Sequence, residues 1–337
     1  MSRGVSGPPL AVRPSLQTRP SSPPGPGGAQ RPVALFHNGF GDRLLTLPAL
    51  RALASLFPHA LGLICAPGDR HLFYSDLPLA AVYEVEFVKT PAGWRFDASA
   101  LAEAVGGCDL FLSLAPWYSA SVDELLRLLP GTETVGFFPA FRHRVSVDGV
   151  SHAADMAFGV PRWFDRSLRL EDFAHPPLLP ADAMAFAREF RATLPRPLRL
   201  LAVHTETLPD KTWPADRFRR CLERFLECCP QYVALALDEQ SRLSDASGGA
   251  DWVLECPGLP LPFAMALVGS ADLFLGVDSC LLHASDLFRV PGVGLFGPTS
   301  CRRFGFRLAR HRHVSAKGPM ARITEEDVLT ALRSLAG

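Results

Sequence analysis

Lysine is scarce in this chain. Of its 34 basic side chains only three are lysine, Lys89, Lys211 and Lys317, which leaves 31 arginines, a bias of the kind nucleotide composition produces. Net charge of either sign is absent too, since 34 acidic groups balance the basic ones, so no global field favours nucleic acid or an anionic membrane as partner. No run of about 18 apolar residues occurs, and no transmembrane helix is expected; peripheral attachment to a membrane stays open. The eight cysteines lack the paired spacing of a zinc site and read as reduced thiols of a cytosolic protein, with no metal expected. Residues 1–31 contain no acid and no apolar core like that of a signal peptide. Their Pro, Ser and Gly content predicts a disordered tail. A second acid-free stretch, 287–324, carries Arg289, Arg302, Arg303, Arg307, Arg310, Arg312, Lys317 and Arg322. It would draw an anionic ligand, or form a solvated basic face.

What is present is organised around 271–299, ADLFLGVDSCLLHASDLFRVPGVGLFGPT. Residues 272–277 form a short apolar run that reads as a buried parallel strand. Asp278, Ser279 and Cys280 break it, a short helix follows, and 292–296 reads as the next strand. A turn at the carboxyl end of a parallel strand that opens a helix aims free N–H groups and the positive end of the helix dipole into the cleft, where diphosphates bind. Ser279 and Cys280 would supply N–H groups and a hydroxyl, and Asp278 would accept hydrogen bonds from sugar hydroxyls. An ordinary N-cap gives the same pattern.

Order is expected from residue 32. The strand 32–36, PVALF, runs into His37-Asn38-Gly39-Phe40-Gly41-Asp42. The two glycines permit unusual torsions or close approach, Thr46 can cap the following helix, and Pro48 fits its first turn. A dinucleotide-binding reading fails here, because Leu44 stands where the third glycine would be and the second strand ends in Cys65 and Ala66 without an acid. Strands and helices alternate to 138, with strands at 61–65, 80–88, 110–114 and 134–138 and helices at 98–105 and 121–129. HPPLLP at 175–180 reads as a hinge. A second alternation follows a helix at 181–193, with strands at 198–204, 232–237 and 252–255 and helices at 215–229 and 262–268. The fold class is therefore α/β, with two Rossmann-like doubly wound domains facing across a cleft. The expected boundaries are a tail at 1–31, a first domain at 32–176 and a second at 177–337 that ends in a helix. Lys211, in the turn after the strand ending at His204, offers a compact charge for a phosphate oxygen, or is a solvent-facing loop residue.

Three segments, in this order, resemble glycosyltransferase family 9, the ADP-heptose heptosyltransferases of lipopolysaccharide core assembly. They are HNGFGDRLLTLPALRALASLFP, the strand ending at His204 with DKTWPADRF after it, and FLGVDSCLLHASDLFRVPGVGLFGPTS. The resemblance covers nearly all of 32–335. It implies a GT-B fold and an inverting, metal-independent cytoplasmic transferase that needs no cofactor and takes an ADP-linked sugar as donor substrate. Carried over by position, Asp42 matches the family's catalytic base, Lys211 its phosphate-binding lysine and Asp278 its acid near the donor sugar. Thr205, Thr207, Ser279, Cys280 and His283 match positions along the diphosphate site. For an acceptor glycan or aglycone, Asn38, Arg70, Arg142 and Arg144 are candidates. Two departures stand out. Cys280 replaces the family's usual Gly, and Thr205-Glu206 replaces its Pro-Gly, which sets an acid beside the expected phosphates. Both feed the alternative of a degenerate member that binds nucleotide or a partner without catalysis.

Overall fold

The computed structural model describes residues 28–91, 93–241, 243 and 253–337. Most of the expected tail, residues 1–27, lies outside the described residues, as does Trp252 at the start of one expected strand. Residues 30 and 31 are already tied down. The backbone amides of Gln30 and Arg31 donate to the Asp109 carboxylate at 2.6 and 3.0 Å, so order begins slightly before Pro32.

The first domain runs β1 (Pro32–Leu35), α1 (Phe40–Leu56), β2 (Gly62–Cys65), α2 (Asp69–Leu72), β3 (Ala81–Glu84), β4 (Val88–Thr90), β5 (Gly93–Arg95), α3 (Ala98–Ala104), β6 (Leu110–Ser113), α4 (Ala120–Leu128), β7 (Glu133–Gly136), β8 (His143–Arg144) and α5 (Ala153–Phe164). The second runs α6 (Ala181–Thr193), β9 (Arg199–His204), α7 (Ala215–Cys228), β10 (Tyr232–Ala236), β11 (Val253–Glu255), α8 (Leu261–Gly269), β12 (Leu273–Val277), α9 (Cys280–Leu287), β13 (Gly292–Phe296), α10 (Cys301–Phe304), β14 (His311–Ser315) and α11 (Glu325–Ala336). The sheet orders are β3-β2-β1-β6-β7-β8 and β11-β10-β9-β12-β13-β14, all parallel. Each order reverses beside its first strand, and such switch points, at the carboxyl ends of strands, are where doubly wound sheets bind ligands. Here those ends are β1 and β6 in one domain and β9 and β12 in the other, and the two sets face one cleft. Central strands such as β1, β6 and β12 are buried along their whole length, as the continuous apolar runs require.

The chain departs from the sequence expectation at several places, the unexpected short helices α2 and α10 among them. Helix α1 starts at Phe40, more than a turn before the expected Thr46 cap; Gly39 is the N-cap, and Pro48 sits inside the helix. The Thr46 hydroxyl donates back to the Asp42 and Arg43 carbonyls, at 3.0 and 3.1 Å, instead of accepting from an N–H. Helix α5, interrupted in sequence by Gly159 and Pro161, packs on α1 and was not expected. The strand expected at 80–88 ends at Glu84, and β4 and β5 form a separate antiparallel hairpin over the cleft. Strands β8 and β14, at the sheet edges, were missed because they are short or polar.

One apolar cluster runs through both domains, from Leu44, Leu47 and Leu50 of α1 to Leu281, Leu282 and Leu287 of α9. Polar bonds close the same interface. Arg307 binds the Asp155 carboxylate through two nitrogens, each at 2.8 Å, and Glu171 at 2.8 Å. His152 of the first domain meets the Gly305 carbonyl of the second at 2.8 Å. The expected hinge carries no regular structure, yet it is clamped from both sides. Buried Arg51 of α1 pairs with Asp76 at 2.8 Å and donates to the carbonyls of Phe173, His175 and Pro176, while Arg289 donates to that of Ala174. Loss of the guanidinium strands Asp76 and three carbonyls in a partly buried interface. Arg51→Met should therefore cost about 3 kcal/mol of stability, read as a lower urea midpoint; an unchanged midpoint would show that the clamp holds nothing.

Candidate active site

The cleft between the domains holds a cavity of about 590 Å³. Its floor is where the N-termini of two helices meet: α1 from the first domain and α9 from the second. A Cβ built on Gly41 would lie 2.8 Å from Cδ2 of His283 and 3.6 Å from Cα of Cys280, so the contact requires glycine for closeness. Torsion is not the reason, since neither Gly39 nor Gly41 has a positive φ.

Asp42 occupies the third position of α1 and faces into the cavity. No hydrogen bond holds its carboxylate among the described residues. Burial lifts that carboxyl to about 6; Asp278 across the cleft adds to the rise, while Lys211, Arg43 and Arg303 oppose it. The Asp42 carboxyl is thus poised to exchange a proton near neutral pH.

The opposite wall comes from the second domain. Lys211, half-buried in a short 3-10 turn after β9, donates from Nζ to Oδ2 of Asp278 at 2.9 Å. Asp278 is buried at the end of β12, and its main-chain carbonyl accepts the Thr207 hydroxyl at 3.0 Å. Ser279 caps α9 in extended conformation, and its buried Oγ makes no hydrogen bond within the described protein. The first-turn N–H groups of α9 beside it have no carbonyl a turn earlier to bond. Cys280 opens α9 with an ordinary φ, so the Gly-to-Cys departure imposes no strained torsion; burial pushes its thiol up to about 12 and keeps it neutral. His283 is buried one turn on. Burial lowers its imidazole to about 4, and its Nε2 stands 3.7 Å from Asp278 Oδ1.

Thr205 does not line the cavity. It lies behind it, donating from its amide and hydroxyl to the buried Asp238 carboxylate at 2.8 and 2.7 Å. Burial acts to raise that carboxyl, but bonds from His204 (3.0 Å) and Thr205 outweigh it and hold it below its usual range. The carboxylate of Glu206 accepts the Glu239 amide at 2.6 Å, so the departure that places an acid here is met by a backbone donor.

Of the four acceptor candidates only Asn38 reaches the cavity, where its Oδ1 accepts from Trp94 Nε1 at 2.9 Å. Arg70 lies on α2, and Arg142 pairs with Glu133 at 3.2 Å on the far edge of the first sheet, with Arg144 on β8 beside it. These three arginines do not line the cavity. Part of the acid-free basic stretch is likewise spent elsewhere: Arg289, Arg307 and Arg310 bind carbonyls or carboxylates of the framework. Of its basic residues, Arg303 alone lines the cavity among the described residues. Lys89 and Trp94, on the β4–β5 hairpin, and Trp117, after β6, line it as well and escaped the sequence reading. A signal existed, for Lys89 is as rare as Lys211, and a proline, Pro91, separates two β-prone triplets.

The sequence profile of glycosyltransferase family 9 (heptosyltransferase) matches residues 125–331, well over half of the chain. The chain belongs to glycosyltransferase family 9. It is therefore a glycosyltransferase, and its two facing sheets are the GT-B fold. Solved structures agree on that fold. A family 9 glycosyltransferase from Veillonella parvula DSM 2008 superposes with a TM-score of 0.72 at 18% identity, over 91% of this chain and 97% of that one. E. coli heptosyltransferase WaaC with ADP gives 0.64 at 17% identity, covering 90% and 99%. E. coli ADP-heptose lps heptosyltransferase II gives 0.65 at 15%, covering 91% and 98%. Comparison with curated protein sequences finds no match.

The helix-to-helix contact in this family 9 chain can be tested directly. Gly41→Ala should destabilise the protein by about 1–3 kcal/mol, the usual cost of overpacking. A double mutant cycle with His283→Ala should recover most of that loss. Equal destabilisation in both backgrounds would mean that Gly41 matters for some reason other than its neighbour.

Proposed function

We propose that this family 9 transferase moves a heptose, or a related sugar, from an ADP-linked donor to an acceptor hydroxyl with inversion and without a metal ion, in the cytoplasm. The observation that carries the reading is the half-buried Asp42 carboxylate, without a hydrogen-bond partner among the described residues, set opposite Lys211 and the N-terminus of α9. Asp42 takes the proton of the acceptor hydroxyl as its oxygen forms a bond to the anomeric carbon. The bond from that carbon to the diphosphate oxygen breaks on the opposite face, and ADP leaves. Lys211, Arg303, the free Ser279 hydroxyl and the first-turn amides of α9 counter the charge that builds on the departing diphosphate. Asp278 holds Lys211 in place and accepts from sugar hydroxyls, with Thr207 fixing its backbone. Thr205 acts from behind by anchoring the turn to Asp238, and neutral His283 and Cys280 form the floor. Support for the nucleotide comes from E. coli heptosyltransferase WaaC, whose structure holds ADP. Among the described residues no helix is long and apolar enough to cross a membrane.

Titration calorimetry with ADP in excess EDTA tests the donor half. Binding should persist, and Lys211→Ala should weaken it by about 1.5–3 kcal/mol, the scale of a charge-assisted hydrogen bond. No binding without metal would end the metal-free reading; an unchanged Kd would end the role of Lys211.

The acid half of the pH profile tests Asp42. With wild-type protein, kcat/KM should fall below pH of about 6, where the carboxyl takes up its proton. Asp42→Asn should keep ADP affinity and slow transfer ~10²–10⁴-fold. Stability should move the other way. The folded value lies above the ordinary 3.8, so protonation of Asp42 contributes stability that is full below 3.8 and lost as pH rises through about 6. The Asn variant should thus melt higher than wild type at pH 8 and lose that advantage towards pH 4. Near-normal turnover by folded Asp42→Asn protein would move the base elsewhere.

A further inference from the structure

The wall of the cavity that Asp42 shares is aromatic where a receptor for phosphorylated glycans would be basic. Trp94 and Trp117 line it, together with Phe36, Phe40 and Met156 of the same domain. The rings are held. Trp94 Nε1 is fixed on Asn38 Oδ1 at 2.9 Å, which ties down its polar edge, and Trp117 stands edge-on to Phe36 with centroids 6.1 Å apart. Phe40 is half exposed at the rim, with the Arg43 guanidinium 4.9 Å from its centroid on the side away from solvent, where Arg43 pairs with Asp69 at 2.8 Å.

Charge on this wall points the same way. Lys89 is its one cation among the described residues, against the Asp42 carboxylate. The domain's other basic groups are committed or remote: Arg43 to Asp69, Arg51 to the interdomain clamp, Arg142 to Glu133. Lys211 and Arg303 belong to the facing wall, where the diphosphate charge would sit. A polyanionic acceptor would have to bring its phosphates beside Asp42 and compete with the donor diphosphate for Lys211 and Arg303, in a cleft where screening by solvent is reduced. A ring with an apolar face would instead meet indole faces, which bind flat apolar surface with little loss of side-chain entropy.

We propose that the acceptor is an uncharged alcohol carried on a ring that stacks against Trp94 and Trp117, and is not a phosphorylated glycolipid. The assignment rests on reading this cleft as the transfer site, with the donor on the second domain. Specificity then lies in the β4–β5 hairpin and the segment after β6, both outside the three segments that carry the family resemblance.

The test is equilibrium binding by calorimetry on the whole protein saturated with ADP. The probes are phenyl β-D-glucoside, its 6-phosphate, methyl β-D-glucoside and benzyl alcohol. Phenyl glucoside should bind, and its 6-phosphate should bind at least about 10-fold more weakly because it adds only charge. Trp94→Ala and Trp117→Ala should each weaken phenyl glucoside roughly 3- to 10-fold, the scale of one aromatic contact, with ADP affinity unchanged. Trp94→Phe, which keeps a smaller ring face and loses the bond to Asn38, should bind more tightly than Trp94→Ala and controls for folding. Retained binding of methyl glucoside assigns the stacked face to a sugar ring, and of benzyl alcohol to an aryl group; both satisfy the proposal. Equal or tighter binding of the 6-phosphate, no binding of any neutral probe, or tryptophan variants with wild-type affinity would each overturn it. ADP titrated in the same samples reports separately on the donor site. Loss of that binding in wild type condemns the proposed function, while intact ADP binding with a preference for the phosphate condemns only the acceptor assignment.

Discussion

Everything at the centre of this molecule depends on how closely two helix N-termini approach. Helix α1 reaches the cleft from one domain and α9 from the other, and the missing side chain of Gly41 lets the His283 ring and the Cys280 backbone come to contact distance. The approach carries an electrostatic consequence. It brings two carboxylates, Asp42 and Asp278, into one poorly solvated space, where like charge and burial together hold Asp42 well above its ordinary range. Lys211 answers Asp278 directly and Asp42 only at a distance, so the two acids are left in different states. One is paired, and the other is available for proton transfer.

The rest of the structure keeps that geometry fixed. A shared apolar core joins α1 to α9, and Arg51, Arg289 and Arg307 fasten the segment that links the domains to both of them. Much of the chain's arginine is thereby consumed in bonds to backbone carbonyls and to acids of the framework. The basic stretch that follows α9 looks like an anion trap when written in one line. Folded, it contributes Arg303 to the cavity and uses Arg289, Arg307 and Arg310 as cross-braces. An arginine can donate in several directions at once, which suits it to bracing; lysine, a single point charge, is kept in two of its three occurrences for the cavity wall.

The two departures from the family pattern have a local physical resolution. Cys280 takes an ordinary helical torsion as a small neutral thiol, and Glu206 turns its carboxylate to the Glu239 amide. Neither blocks the first turn of α9. The first-domain wall of the cavity is aromatic where Trp94 and Trp117 line it, and those two residues lie outside the three family segments.

By itself the sequence determined the alternation of strands and helices, the two parallel sheets and the residues of the second-domain turn, because each is encoded locally. Apolar runs of the right length make buried strands, and Asp278-Ser279 at the end of one of them marks a helix start beside a switch point. Helix ends were less legible. Thr46 looked like a cap, yet tertiary packing of α5 on α1 favours a helix that begins at Phe40 and carries Pro48 through its interior. Only the tertiary structure decided which charged groups face the cleft. Arg70, Arg142 and Arg144 stand in the first domain but off the cavity, while Lys89, Trp94 and Trp117 arrive there from a hairpin and a loop far from the motifs. The perturbed carboxyl of Asp42 is likewise a property of the assembled cleft, since burial and the field of Asp278, 236 residues further along the chain, exist only once the domains close on each other.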